Sequence, residues 1–360
     1  RCEGLHFNFS KNGVVMNCGA RSFISLFLVL CLFFQYSGLS FAADLPVLSS
    51  VESGAITTSM VNPTTMDINV GVNNSIGNYA EFNVGSGYTA NINHATAGWN
   101  SLHRVGGAAT SLIFGNLNSN GNVFLINPNG ILFGAGAQVD MPGLVASTLN
   151  ISNADFLAGN YKFQTTGGLG SVMNGGTITV RNGGYLALLS PQVYNFGTIV
   201  ADTGRVLLAS GDAMTLNLDD AGDISAVISD GTLNSLASNT GNITVGNGKV
   251  VLTAKSLNAV LDNIVNNTGI INAVNMVDDN GVVELRASNG SVSNSGVIKS
   301  GTIRAVASED VTNSGNLKAT DLVRLQAGDD VINNNLIVSN DRVSIQATGD
   351  ITNNGRMTTS

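Results

Sequence analysis

From about residue 170 onward the chain repeats one short phrase, apolar-x-Asn-x-Gly-x-apolar, and a fixed short period decides the architecture before any domain count is made. The phrase reads Val193-Tyr194-Asn195-Phe196-Gly197-Thr198-Ile199, then Val265-Asn266-Asn267-Thr268-Gly269-Ile270-Ile271, then Val292-Ser293-Asn294-Ser295-Gly296-Val297-Ile298 and Val311-Thr312-Asn313-Ser314-Gly315-Asn316-Leu317. Two more copies centre on Asn333 and Asn353, so Asn294, Asn313, Asn333 and Asn353 stand 19, 20 and 20 residues apart. Between the copies lies a second phrase, as in Gly204-Arg205-Val206-Leu207-Leu208-Ala209 and Leu322-Val323-Arg324-Leu325-Gln326-Ala327. Its alternation is that of a half-buried strand.

Each repeat therefore holds at least two short strands, separated by Gly or Asn, which enter the left-handed backbone region at low steric cost. One repeat makes one coil of a right-handed parallel β-helix, an all-β solenoid whose coils stack about 4.8 Å apart. Inward Val, Ile and Leu of successive coils then stack, each stabilising by about 1.5–3 kcal/mol when fully buried. The Asn of the phrase has two readings: a turn residue, which is favoured, or an inward amide hydrogen-bonded from coil to coil as a ladder. Leucine-rich repeats share the period but not the pattern, and the Gly-Gly-x-Gly-x-Asp series of calcium-binding rolls does not occur. Residues 44–160 are β-rich but less periodic and suit the atypical cap that a solenoid's first coil requires. A short helix is expected at Asn153-Ala154-Asp155-Phe156-Leu157-Ala158, capped by Ser152 or Asn153 and closed by Gly159. Nearest-neighbour contacts let such a chain fold coil by coil, each finished edge templating the next.

The N-terminus reads as an export signal: Lys11 and Arg21 precede an apolar run over residues 23–34, followed by Ser37-Gly38-Leu39-Ser40-Phe41-Ala42. Cleavage is expected between Ala42 and Ala43. The run of 12 residues is short of the roughly 20 that a spanning helix needs. Cys2, Cys18 and Cys31 all fall in this region, so residues 43–360 carry no disulfide framework. Without Arg1, Lys11, Arg21 and Glu3 the chain keeps 13 basic against 23 acidic residues. No basic cluster is present to bind phosphates, so a nucleic-acid partner is excluded.

Residues 121–148 contain Asn127-Pro128-Asn129-Gly130, and this block resembles the filamentous haemagglutinin secretion domain of two-partner systems. Upstream, Asn78-Tyr79-Ala80-Glu81-Phe82-Asn83-Val84-Gly85 is similar to the family's Asn-Trp-x-x-Phe-Asn-Ile-Gly, and Leu102-His103-Arg104-Val105 to its Leu-Asn-Arg-Val. The resemblance implies a secreted, adhesin-like surface protein of a Gram-negative bacterium, recognised in the periplasm by a dedicated outer-membrane β-barrel transporter. Host-cell or bacterial-surface receptors are the further partners it implies. It divides the chain into an export signal (1–42), a secretion domain (43–290) and further coils (291–360). Within the family the alternative is the N-terminal part of a haemolysin or contact-dependent growth-inhibition toxin. Asn78, Phe82, Asn83, Arg104, Asn127, Pro128, Asn129 and Gly130 are the candidate recognition residues. Physically, Asn127-Pro128-Asn129-Gly130 is a turn, with Pro fixing φ at the first corner and Asn-Gly taking positive φ.

No cofactor or metal is expected: residues 43–360 contain only His94 and His103, with no paired-His motif, nucleophile elbow or phosphate loop. The chain reads as a non-enzyme. Asp219-Asp220, Asp278-Asp279 and Asp329-Asp330 are the carboxylate pairs that a β-helical polysaccharide-active enzyme or a calcium site would use, and solvated turn acids are the plainer reading.

Overall fold

A computed structural model describes residues 45–168, 170–218, 223–258, 263–274 and 281–359, with the side chain of residue 182 excluded. The export signal with Ala42 and Ala43, and the pairs Asp219-Asp220 and Asp278-Asp279, lie outside the described residues.

Each regular coil holds three strands, as in Gln192–Asn195, Thr198–Ala201 and Arg205–Ser210. The next coil repeats them in register and parallel, with Asn195 beside Asn239, Ile199 beside Ile243 and Leu208 beside Leu252. Among the described residues the first strands form a ten-stranded sheet, while the second and third belong to one sheet of 21. They merge because in some coils both are one long bent strand, such as Val297–Ala307 and Asn316–Ala327. The expected parallel β-helix is thus present. Its interior is built from columns such as Ile178, Ile199, Ile243, Ile271, Ile298 and Leu317, stacked in register and at most 2% exposed.

Two local expectations are corrected. The Gly of each phrase does not adopt the left-handed region; Gly197, Gly241, Gly269, Gly296 and Gly315 all lack positive φ. Glycine is needed because a Cβ on Gly269 would collide with the Gly241 carbonyl, and one on Gly296 with that of Gly269. The Asn of the phrase is not a turn residue either. Asn174, Asn195, Asn239, Asn267, Asn294, Asn313 and Asn333 are at most 3% exposed, and each donates Nδ2–H to the Oδ1 of the next, through to Asn353, at 2.7–2.8 Å. An inward amide carries donors and an acceptor at once, so a column of them satisfies itself where a lone buried amide would not.

The N-terminal cap is antiparallel: Val47–Ser53 pairs with Ser75–Glu81, and Ile56–Asn62 with Thr65–Val70. The helix Asn153–Ala158 is present, its first turn capped by Ser152, whose Oγ accepts from the Asp155 N–H, and its end closed by Gly159 at φ 72°. A four-stranded antiparallel sheet, Asn150–Ile151, Lys162–Gln164, Ala213–Leu218 and Ile224–Asp230, lies outside the coils and was not expected. It covers a second core. Ile76, Leu102, Phe124, Val145, Ala187, Leu207 and Val251 form one column of adjacent residues on the helix exterior, and all are at most 3% exposed. Past the cover the same column continues as Glu284, Arg304 and Arg324. Composition switches where the second layer ends.

Candidate functional site

The three blocks that carry the resemblance are far apart in sequence and adjacent in space. Asn78 pairs with Arg104, and Arg104 with Ile126, the residue before Asn127, so the blocks occupy consecutive rungs. Side chains join them further on: the Leu112 N–H donates to Asn83 Oδ1 (2.9 Å), and Asn127 Nδ2 donates to Ser111 Oγ (3.0 Å) and Ala109 O (2.9 Å).

The Asn127–Gly130 segment is a β-turn closed by Gly130 N–H to Asn127 O (3.0 Å), with Asn127 Oδ1 also accepting from Asn129 N–H (2.9 Å). Only Gly130 has positive φ, at 117°. The expectation that Asn129 would share that conformation is corrected, which rules out the turn types that need positive φ at the third residue. Asn127 and Gly130 are buried, Pro128 is half-buried and Asn129 exposed. Asn129 still reaches back, through Nδ2, to Gly107 O (2.8 Å).

Of the other candidates, Phe82 is in the interior at 1% exposure, edge-on to Tyr79 with centroids 5.1 Å apart. Asn78 donates to Glu52 (2.7 Å) in the cap, and half-buried Arg104 donates to Asn150 Oδ1 (2.9 Å) and Ile151 O (2.8 Å) of the outer sheet. Arg104 therefore fastens the second layer to the coils. Pro128 and Asn129 are the outward residues of this turn.

The fold also brings together groups that sequence reasoning left separate. His94 and His103 both bond Ser101 Oγ through Nε2 at 2.9 Å, and His103 Nδ1 meets the Tyr79 hydroxyl at 2.8 Å. Burial pushes the Tyr79 hydroxyl up and both histidines down, His103 to about 3 with nearby His94 adding to the effect. A serine between two imidazoles has the makings of an activated nucleophile, but Ser101 and His103 are 0% exposed, so no substrate reaches them.

At the far end Asp310, Asp329 and Asp330 bring three carboxylates within 4.8 Å, a set from which a cation could draw oxygen ligands. Two of them already have work: Asp310 Oδ1 accepts the Asp330 N–H (3.0 Å) and Asp330 Oδ1 the Asp350 N–H (2.6 Å). They cap successive corners, in keeping with turn acids.

A family model described as the TPS secretion domain matches residues 49–300, well over half of the chain. Two curated relatives from Haemophilus influenzae, each named heme/hemopexin-binding protein, are similar to it. One is 28% identical over 305 residues, covering 78% of this chain and 32% of the relative, and the other 30% identical over 276 residues, covering 73% and 30%. The chain thus spans about a third of the length of the curated relatives it matches. Among solved structures, that of the HMW1 secretion domain from Haemophilus influenzae superposes with a TM-score of 0.73 at 23% identity, over 87% of this chain and 98% of that one, a likeness of fold. The family model, which spans the corner of the three blocks and the outer sheet, makes the assignment: the chain belongs to the family of TPS secretion domains, the export modules of two-partner secretion.

Proposed function

We propose that residues 43–290 direct export of a secreted, adhesin-like exoprotein, and that an outer-membrane β-barrel transporter recognises them at the corner where the three blocks meet. The convergence of Asn78, Arg104 and the Asn127–Gly130 turn on consecutive rungs carries this reading. One partner surface can then contact residues from segments some 25 positions apart. Residues 1–42 serve as the export signal with cleavage after Ala42, and residues 291–360 as further coils. The reading includes no catalytic step, since Ser101 is sealed between its histidines. Binding of heme or hemopexin, for which the relatives are named, is not part of this function: His94 and His103 are buried, and most of those relatives' length lies beyond the matched region.

The test pairs Pro128→Ala with Asn129→Ala, changes on the outward side of the turn, and measures product outside cells that co-express the transporter. Export is expected to fall at least about tenfold, a loss of roughly 1.4 kcal/mol in recognition, while far-UV circular dichroism stays native. Wild-type export by both folded variants would remove this corner from the mechanism.

A further inference from the structure

Tyr79, His103, Ser101, His94 and Ser119 form one hydrogen-bonded line through the interior of the first coils, and none is more than 4% exposed. The contacts run Tyr79 Oη to His103 Nδ1 (2.8 Å), His103 Nε2 to Ser101 Oγ (2.9 Å), Ser101 Oγ to His94 Nε2 (2.9 Å) and His94 Nδ1 to Ser119 Oγ (3.4 Å). Ser119 Oγ also donates to Gly121 O (3.0 Å).

Counting hydrogens fixes the direction, because a neutral imidazole has one N–H and one lone pair. With the Ser119 hydrogen on Gly121 O, His94 must donate from Nδ1 and accept at Nε2 from Ser101. Ser101 then accepts from His103 Nε2–H, and His103 Nδ1 accepts the Tyr79 O–H. Every hydrogen has an acceptor. An extra proton spoils the count wherever it lands. On His103 Nδ1 it faces the phenol oxygen, so the Tyr79 hydrogen loses its only acceptor in this line. On His94 Nε2 it turns the Ser101 hydrogen toward His103, whose own hydrogen moves to Nδ1, and the same phenol hydrogen is stranded. An orphaned donor and an unpaired charge in an apolar interior are both costly.

We propose that this line is an acid-sensitive latch: two neutral imidazoles in opposite tautomers hold the first coils closed, and proton uptake opens residues 75–126 while the coils after residue 281 stay stacked. The titratable groups facing His103 are Tyr79 from the strand Ser75–Glu81 and His94 from the strand Thr89–His94; the following strand, Asn122–Ile126, presents Leu125. Arg104, the next residue along, turns away to Asn150 and Ile151, and Asn120 holds the His94 backbone. Among the described residues no carboxylate bonds either ring; burial lowers His94 more than the Asn120 side chain and the Ile92 backbone, which favour its charged form, raise it. An unfolded histidine titrates near 6.5, whereas the folded values lie lower. The closed form therefore has its full advantage above about pH 6.5 and loses it as the pH falls toward that of buried His103. The interior column of the later coils is made of amides, which do not titrate, and the Asp310 and Asp330 carboxylates there cap corners from half-buried positions outside that column.

The test uses the full chain. Nitrogen-15 NMR at about pH 7 is expected to show His94 protonated on Nδ1 and His103 on Nε2, both neutral, with His94→Gln and His103→Gln supplying the assignments. Trp99, the single tryptophan, accepts the Asn122 N–H at its carbonyl (2.7 Å) and so reports on these coils. Its emission should change between about pH 6.5 and 3, with the midpoint moved by at least about one unit in His103→Gln. Reversed tautomers, wild-type emission flat to about pH 3, or an unchanged midpoint in a folded His103→Gln would each overturn the latch. Should His103→Gln not fold, the wild-type tautomers and titration decide.

Discussion

Replacing Asn267 by leucine takes one rung out of the middle of the amide column. Asn239 Nδ2 loses the acceptor it reaches at 2.8 Å and keeps only a longer contact to Gly241 O at 3.3 Å; Asn294 Oδ1 loses a donor at 2.8 Å. Asn267 is 0% exposed, so water does not replace either partner. Each orphaned group costs about 1–3 kcal/mol, and leucine returns part of that through its own burial. A net loss of about 2–4 kcal/mol is expected. Asn353→Leu is the matched control: Asn353 is exposed, and its donor Asn333 Nδ2 also has Asn335 O at 2.8 Å, so the loss should stay below about 1 kcal/mol. Urea titration followed by far-UV circular dichroism measures both, compared by midpoint because long stacks do not unfold in one step. Equal effects at the two positions, or less than about 0.5 kcal/mol at Asn267, would refute the claim that the column is cooperative and buried.

Gly269→Ala should cost at least about 1–2 kcal/mol more than Gly87→Ala in thermal melts, since the first drives a Cβ into the Gly241 carbonyl while the second, at φ 81° with nothing within 4 Å, meets only backbone strain. Leu207→Ala should destabilise by about 2–5 kcal/mol and speed proteolysis of the strands Ala213–Leu218 and Ile224–Asp230, whereas Arg324→Leu, at the uncovered end of the same column, should leave stability within about 0.5 kcal/mol. Arg104→Ala removes two charge-assisted bonds, and hydrogen exchange at Asn150 and Ile151 should rise by at least about tenfold, equal to roughly 1.4 kcal/mol; unchanged exchange would mean that Arg104 does not fasten the outer sheet.

The coils and the helix closed by Gly159 were legible because each rests on local pattern, whereas the cap is shorter than the span 44–160 suggested, since parallel rungs begin already at Thr65–Val70. The amide column was not, since an Asn beside Gly is compatible with a turn until its neighbours one coil away are known. The outer sheet did leave a trace. Val206-Leu207-Leu208-Ala209 is apolar without a break, as a strand buried on both faces should be, while Val323-Arg324-Leu325-Gln326 alternates. Reading both as half-buried hid the second layer. The three blocks that carry the resemblance also announced their meeting, for Asn78, Arg104 and Asn127 are separated by 26 and 23 residues, close to one coil each. The histidine line had no such signal, because which residues of Ser101-Leu102-His103-Arg104 face inward depends on a register that the irregular first coils do not display.

The antiparallel outer sheet changes how the molecule should come apart. Lys162–Gln164 bonds both Asn150–Ile151 and Ala213–Leu218, so rungs made from chain segments about fifty residues apart share a single clasp. Coils beneath it must let go as a group. From residue 281 on, no such clasp is present among the described residues, and each coil depends on the one before and the one after. Pulled or heated, that end should peel rung by rung, while the clasped portion melts in a single later event.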